Sequence, residues 1–238
     1  MKKHLTFLLL AFSLIFFNLS PLIATSYYVD PNGLSTNTGT INAPLNLTAA
    51  VSKTLVSGDS LIFRGGTYSF SLSQTFSKSG VAGNLIHYVA YKTEIPIFDF
   101  RTQVYSSSSR GLNLSGNYMH VKGLTVQGAG DNGIYVSGSN NFIELCVARW
   151  NCDSGFQLKV GSNNYVLNCD SYENFDYESS GGNADGFADK QYTTVEQILT
   201  RDAAHGVIVM TVGIVIKKQV IRFMIVVGVK IWLLLNMI

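Results

Sequence analysis

Between Gly111 and Asp170 the chain repeats itself about every 22 residues, and the pattern runs on into Asn183-Ala184-Asp185-Gly186-Phe187-Ala188. Gly111-Leu112-Asn113-Leu114, Gly133-Ile134-Tyr135-Val136 and Gly155-Phe156-Gln157-Leu158 each place a glycine before two apolar residues that alternate with a polar one. Each is followed by a small polar turn: Ser115-Gly116-Asn117-Tyr118, then Gly138-Ser139-Asn140-Asn141-Phe142, then Gly161-Ser162-Asn163-Asn164-Tyr165. Short strands at a fixed period of 20–30 residues are the signature of a solenoid, in which each repeat buries its apolar face only against its neighbours. Three short strands per repeat, separated by turns, coil into an all-β parallel β-helix. The Asn residues at 117, 140/141 and 163/164 fall at one turn, where an Asn can hydrogen-bond its counterpart one coil away.

Composition agrees with stacked strands. Only 13% of residues are charged, against roughly 25% in ordinary globular proteins. Like charges on successive coils would sit about 4.8 Å apart, so uncharged polarity suits such a stack. The net charge of +2 and the lack of a basic stripe argue against nucleic acid as a partner. Lys2-Lys3, the apolar run Leu5 to Phe17, and Ala24-Thr25-Ser26 form a secretory leader with an A-x-S-like cleavage site. The run is shorter than the ~20 residues a membrane span needs. Export to the periplasm or the extracellular space is the expectation.

A strand at Tyr27–Val29 runs into a Pro31-Asn32-Gly33 turn, and residues 46–57 have helical spacing with Asn46 at the polar start. A short helix there would cap the open end of the first coil. Strands follow at 61–63, 85–91 and 96–99. Cys146 and Cys169 occupy the same place in successive repeats, close enough for a disulfide; a column of small buried side chains is the competing reading. Asp131 and Asp153 precede the repeat glycines as turn formers. Trp150, Tyr172 and Tyr177 could stack on sugar rings or on one another. The interval from Gly155 to Gly186 is 31 residues rather than 22. This lengthened turn carries Asp176 and Glu178, which either bind a cation or belong to a solvated loop.

Two stretches carry a family resemblance. Tyr27–Pro44 with Gly58-Asp59-Ser60-Leu61-Ile62-Phe63-Arg64-Gly65-Gly66-Thr67-Tyr68 resembles the first coil of secreted polysaccharide enzymes, and Asn183-Ala184-Asp185-Gly186-Phe187-Ala188 resembles the signature of pectate lyases of polysaccharide lyase family nine. The resemblance implies a right-handed parallel β-helix and calcium-dependent β-elimination on polygalacturonate. It implies an acidic polysaccharide as the partner and a monomer as the working form. Asp185 matches the family's first calcium-ligand aspartate. Lys190 follows it closely and either contacts substrate carboxylates or is a solvated turn lysine. The remaining calcium ligands belong one coil later, in an N-S-D-D-G-W-D-like segment, with a lysine base beyond.

No such segment follows Asp185. From Thr193 the Gly and Asn turns vanish, and residues 207–238 become apolar text broken by Lys217, Lys218, Arg222 and Lys230. Back-translation from Thr193, with codons begun at each third base, permits N-G-G-T-N-T-Y-E-G-C-R-A-W-G-N-S-D-D-G-W-D-C-Y-K-K. Two bases of every triplet are fixed, so third-base freedom does not readily produce that ordered string. The expected organisation is therefore a signal peptide at 1–26, a β-helix at 27–192 and an out-of-frame tail at 193–238. The expected activity of this chain is lost with the missing ligands and base. Competing functions are a lyase or epimerase on another uronate such as alginate, and a non-catalytic carbohydrate-binding or surface β-helix. Resequencing the locus should reveal a one-base change near the Thr193 codon; verified DNA with an intact frame through Ile238 would contradict it.

Overall fold

The computed structural model describes residues 23–182 and 184–188 in full, and residue 189 with strands 198–201, 208–216 and 219–227 as backbone. The chain winds as a parallel β-helix with three faces. The first face stacks β1 (Ser26–Val29), β2 (Ser60–Phe63), β5 (Ile86–Ala90), β8 (Met119–Lys122), β11 (Phe142–Glu144) and the start of β14 (Tyr165–Tyr172). The second stacks β3 (Gly66–Ser69), β6 (Pro96–Asp99), β9 (Thr125–Gln127), β12 (Val147–Arg149) and the end of β14. The third stacks β4 (Gln74–Phe76), β7 (Leu112–Leu114), β10 (Ile134–Val136), β13 (Phe156–Leu158) and β15 (Phe187–Asp189). All pairings within these faces are parallel.

The repeat maps directly onto the stack. Leu112 lies beside Ile134, Ile134 beside Phe156, and Phe156 beside Phe187, at offsets of 22, 22 and 31 residues. Coiling also begins well before the visible repeat, because β2 stacks on β1 and β5 on β2 with longer connections. Those early coils hide their period in turns of unequal length. Beyond β15, β16 (Ile198–Arg201) stacks in parallel on β14, and the parallel order stops there: β17 (Ile208–Ile216) and β18 (Gln219–Val227) pair antiparallel.

Inward side chains fill the tube. Phe63, Phe76, Tyr88, Phe98 and Phe100 are fully buried, and Phe76 stacks on Tyr88 at 4.2 Å between ring centroids. Each such buried ring contributes about 1.5–3 kcal/mol in apolar transfer. The capping helix α1 (Leu47–Ser52) starts where the sequence placed it: Asn46 Oδ1 accepts from Ala49 N–H at 2.9 Å. It ends sooner than the predicted 57, since Lys53 turns to extended backbone while its N–H reaches back to Ala50. Leu47 and Ala50 face the first coil and close it.

Asparagines bind coil to coil, though mostly through the backbone rather than amide to amide. Asn141 Oδ1 accepts from Met119 N–H at 2.9 Å one coil below, while its Nδ2 donates to Gly116 carbonyl at 3.1 Å. Asn164 repeats both bonds, to Asn141 N–H and Gly138 carbonyl. In the same turn Asn163 donates side chain to side chain, onto Asn140 at 3.3 Å. These bonds draw the turns together so closely that a Cβ at Gly161 would lie 1.6 Å from Gly138 oxygen. A second column, Asn151 and Asn174, is spaced identically: Asn151 accepts from Ala129 N–H and Asn174 from Asn151 N–H, while Asn151 Nδ2 donates to Asn174 Oδ1 at 2.8 Å.

Cys146 and Cys169 stack as the register requires, and both are free thiols. Cys146 N–H points at Cys169 Sγ at 3.4 Å, and each thiol donates to nearby carbonyls. The disulfide reading is thus set aside in favour of the column of small buried side chains. Replacing Asn141 with Ala strands a buried N–H and a buried carbonyl. It should cost about 1–3 kcal/mol, read as a lower urea midpoint at unchanged slope.

Candidate functional site

The turn that leads from the second face into the third gathers most of the functional groups. Its backbone is a carbonyl ladder: Asn132, Ser154 and Asp185 accept in succession from the N–H of Gly111, Gly133 and Gly155. Asp185 therefore occupies the same rung as Asn132 and Ser154, at the top of the column. Its carboxylate is exposed, whereas Asn132 and Ser154 are buried. Lys190, the second residue proposed from sequence, lies outside the described residues.

Asp131 and Asp153 are more than turn formers. They sit one position earlier in the same turn on adjacent coils, and Asp131 is buried. Burial first, and then the Asp153 charge, push the Asp131 carboxyl up to about 6, with a hydrogen bond between the two carboxyls adding to the rise. Asp153 is meanwhile fixed by Ser154, whose N–H donates to it at 2.7 Å. Arg110 faces the pair with Nε 3.7 Å from Asp131 Oδ2, and its guanidinium lies 3.8 Å over the Tyr135 ring. Sequence reading missed this grouping. The available signal was the identical position of two aspartates in successive repeats, which puts like charges one coil apart.

The lengthened turn before β15 folds over this cluster. Asp176 is buried, contrary to the solvated reading, because its carboxylate turns inward to cap its own loop, accepting from Glu178 and Ser179 N–H at 2.9 and 3.2 Å. Tyr105 belongs to the other long turn of this column; burial and the Glu178 carboxylate push its phenol up to about 12. Burial, Asp131 and Asp176 likewise push the Cys152 thiol up. The oxygens of Asp176 are thus engaged by the loop itself.

The exposed aromatics engage protein partners. Arg149 stacks 4.3 Å over Trp150, donates to Gln127 Oε1 at 2.9 Å and donates to Tyr172 Oη at 3.0 Å. Trp150 Nε1 donates to Glu173. Tyr177 meets Phe175 edge to face at 5.0 Å. Between these alternatives, stacking among side chains is what the geometry provides.

A calcium ion takes six to eight oxygen ligands. Among the described residues, no group of three or more His, Cys, Asp or Glu side chains is placed to hold a metal. Asp185 by itself supplies too few oxygens for such an ion.

Comparison with known proteins matches residues 27–203 to the family described as Pel9A-like, right handed beta helix region. The chain is 42% identical over 181 residues to pectate lyase L of Paenibacillus polymyxa, covering 71% of this chain and 40% of the relative. It is 37% identical over 175 residues to pectate lyase L of Dickeya chrysanthemi, covering 69% and 41%. The crystal structure of pectate lyase Pel9A superposes with a TM-score of 0.63 at 35% identity, over 68% of this chain and 43% of that one. The chain thus spans about two fifths of the length of the relatives it matches.

The Asp131 carboxyl makes a pH prediction. Its folded pKa is raised, so it favours the fold when protonated. That contribution is present below about 4 and is lost as pH rises through about 6. Asp131→Asn should flatten stability between those values, as followed by urea unfolding at each pH.

Proposed function

Because the chain belongs to the Pel9A-like, right-handed β-helix family, we propose that it is the N-terminal part of an exported pectate lyase whose catalytic half is displaced by a change of reading frame. The observation that carries this reading is Asp185. It sits in Asn183-Ala184-Asp185-Gly186-Phe187-Ala188 on the sixth coil, on a rung that the carbonyl ladder fixes. One coil further on is where the alternative frame supplies N-S-D-D-G-W-D. Two more carboxylates above Asp185 would give a hard cation the oxygen cluster it requires. Such a cation would stabilise the enolate that forms when the proton beside the uronate carboxylate is removed.

The organisation proposed is a leader at 1–26, the β-helix at 27–192 and a tail at 193–238. Acidic polysaccharide of the polygalacturonate type is the substrate, the working form is a monomer, and nucleic acid plays no part. Residues 1–22 and Lys190 lie outside the described residues. Among the described residues no helix is long and apolar enough to cross a membrane. Parallel stacking that ends at β16 supports a change in the character of the chain near that point.

In this reading the present polypeptide keeps one calcium ligand and no base. The test compares this chain with the product of the single-base-corrected gene on polygalacturonate with calcium. Unsaturated, ultraviolet-absorbing product should form only with the corrected protein. Product from this chain would overturn the loss of activity; product from alginate but not polygalacturonate would overturn the substrate class.

A further inference from the structure

The outer surface of the first face carries a cluster that the lyase reading leaves unused. His87 on β5 and His120 on β8 are register partners one coil apart. Parallel stacking therefore holds two imidazoles side by side on rigid strands. Their Nδ1 atoms lie 3.1 Å apart, with the rings crossed at 81°. On the other side of His120, Nε2 meets Glu144 Oε1 at 3.0 Å. Glu144, on β11, is held in turn by Lys122 Nζ at 2.8 Å. The side chains of His120 and Glu144 are only 19% and 16% exposed, so this arrangement is set by packing rather than by chance contact at a mobile tip.

One tautomer arrangement satisfies both contacts. In it Nε2–H of His120 donates to the Glu144 carboxylate, which leaves a lone pair on Nδ1. His87 Nδ1–H then donates to that lone pair. Two imidazole nitrogens that share one proton in this way can instead share a cation. Nitrogen ligands 2.0–2.1 Å from a tetrahedral ion stand about 3.3–3.4 Å from each other. The observed separation needs an adjustment of a few tenths of an ångström. The Glu144–His120 bond is the outer-shell partner that fixes tautomer and ring orientation in metal-binding histidines.

We propose that His87 and His120 form a two-histidine site for a first-row transition ion (zinc, nickel or copper(II)), bound through Nδ1 of each ring, with Glu144 orienting His120 and water filling the remaining positions. Binding moves the Nδ1 proton of His87 through solvent to its own Nε2, so the ring stays neutral, and ties the β5 and β8 coils together. Imidazole selects these borderline ions, whereas calcium takes oxygen ligands. The site is thus separate from Asp185 and does not rest on the lyase reading. The rival account is a purely structural aromatic column, since His120 packs against Phe142 at 5.5 Å and Phe142 against Tyr165 at 6.3 Å.

Zinc titration of the purified full chain by calorimetry separates the two accounts. One saturable site is expected, retained in Cys152→Ser and in the presence of excess calcium. His87→Phe and His120→Phe keep the aromatic column and should abolish the site, with the fold checked by circular dichroism. Glu144→Gln should weaken it about 10- to 100-fold. Absence of saturable binding, binding that survives both histidine variants, or binding lost on Cys152→Ser alone would overturn the proposal.

Discussion

Every coil of this molecule depends on the one beneath it for its hydrogen bonds. The backbone partners of β8 lie on β5 and β11, never within its own coil. No single turn of the helix could bury its apolar face or satisfy its amides alone. The asparagines extend the same constraint into the corners. Asn141 and Asn164 satisfy buried backbone groups that strand pairing cannot reach. The glycines at 116, 138 and 161 follow from this, because carbonyl oxygens of one turn occupy the space where a Cβ of the next would stand.

That dependence explains which features were legible in the sequence. Where turns are of equal length, as from Gly111 to Asp170, stacking writes itself as a period, and the register of β7, β10 and β13 can be counted. Where turns differ, as between β2, β5 and β8, the same stacking leaves no fixed interval, and only the alternation within each strand remains. The second asparagine column at Asn151 and Asn174 was equally regular but lacked the glycine that drew attention to the first.

The candidate site was legible in part. Asp185 could be placed because it precedes the repeat glycine Gly186 and so inherits a rung. The burial of Asp131 and of Asp176 could not be read, since an aspartate in a turn looks the same in sequence whether its loop is solvated or folded over it. Two long turns meeting through Tyr105 and Glu178 enclose that corner, and the contact spans more than 70 residues of sequence. The His87–His120 pair shows the opposite case. It is evident once the register is known, and it lies in coils whose register the sequence did not reveal.

In the proposed reading the stack stops one coil short of a complete cation site, and calcium affinity decides between that and a working site. Calorimetric titration of this chain should show no saturable calcium binding in the micromolar range, whereas the frame-corrected protein should bind at a site that Asp185→Asn removes. Saturable calcium binding by the present chain, abolished by Asp185→Asn, would show instead that the cation site is complete without the displaced coil.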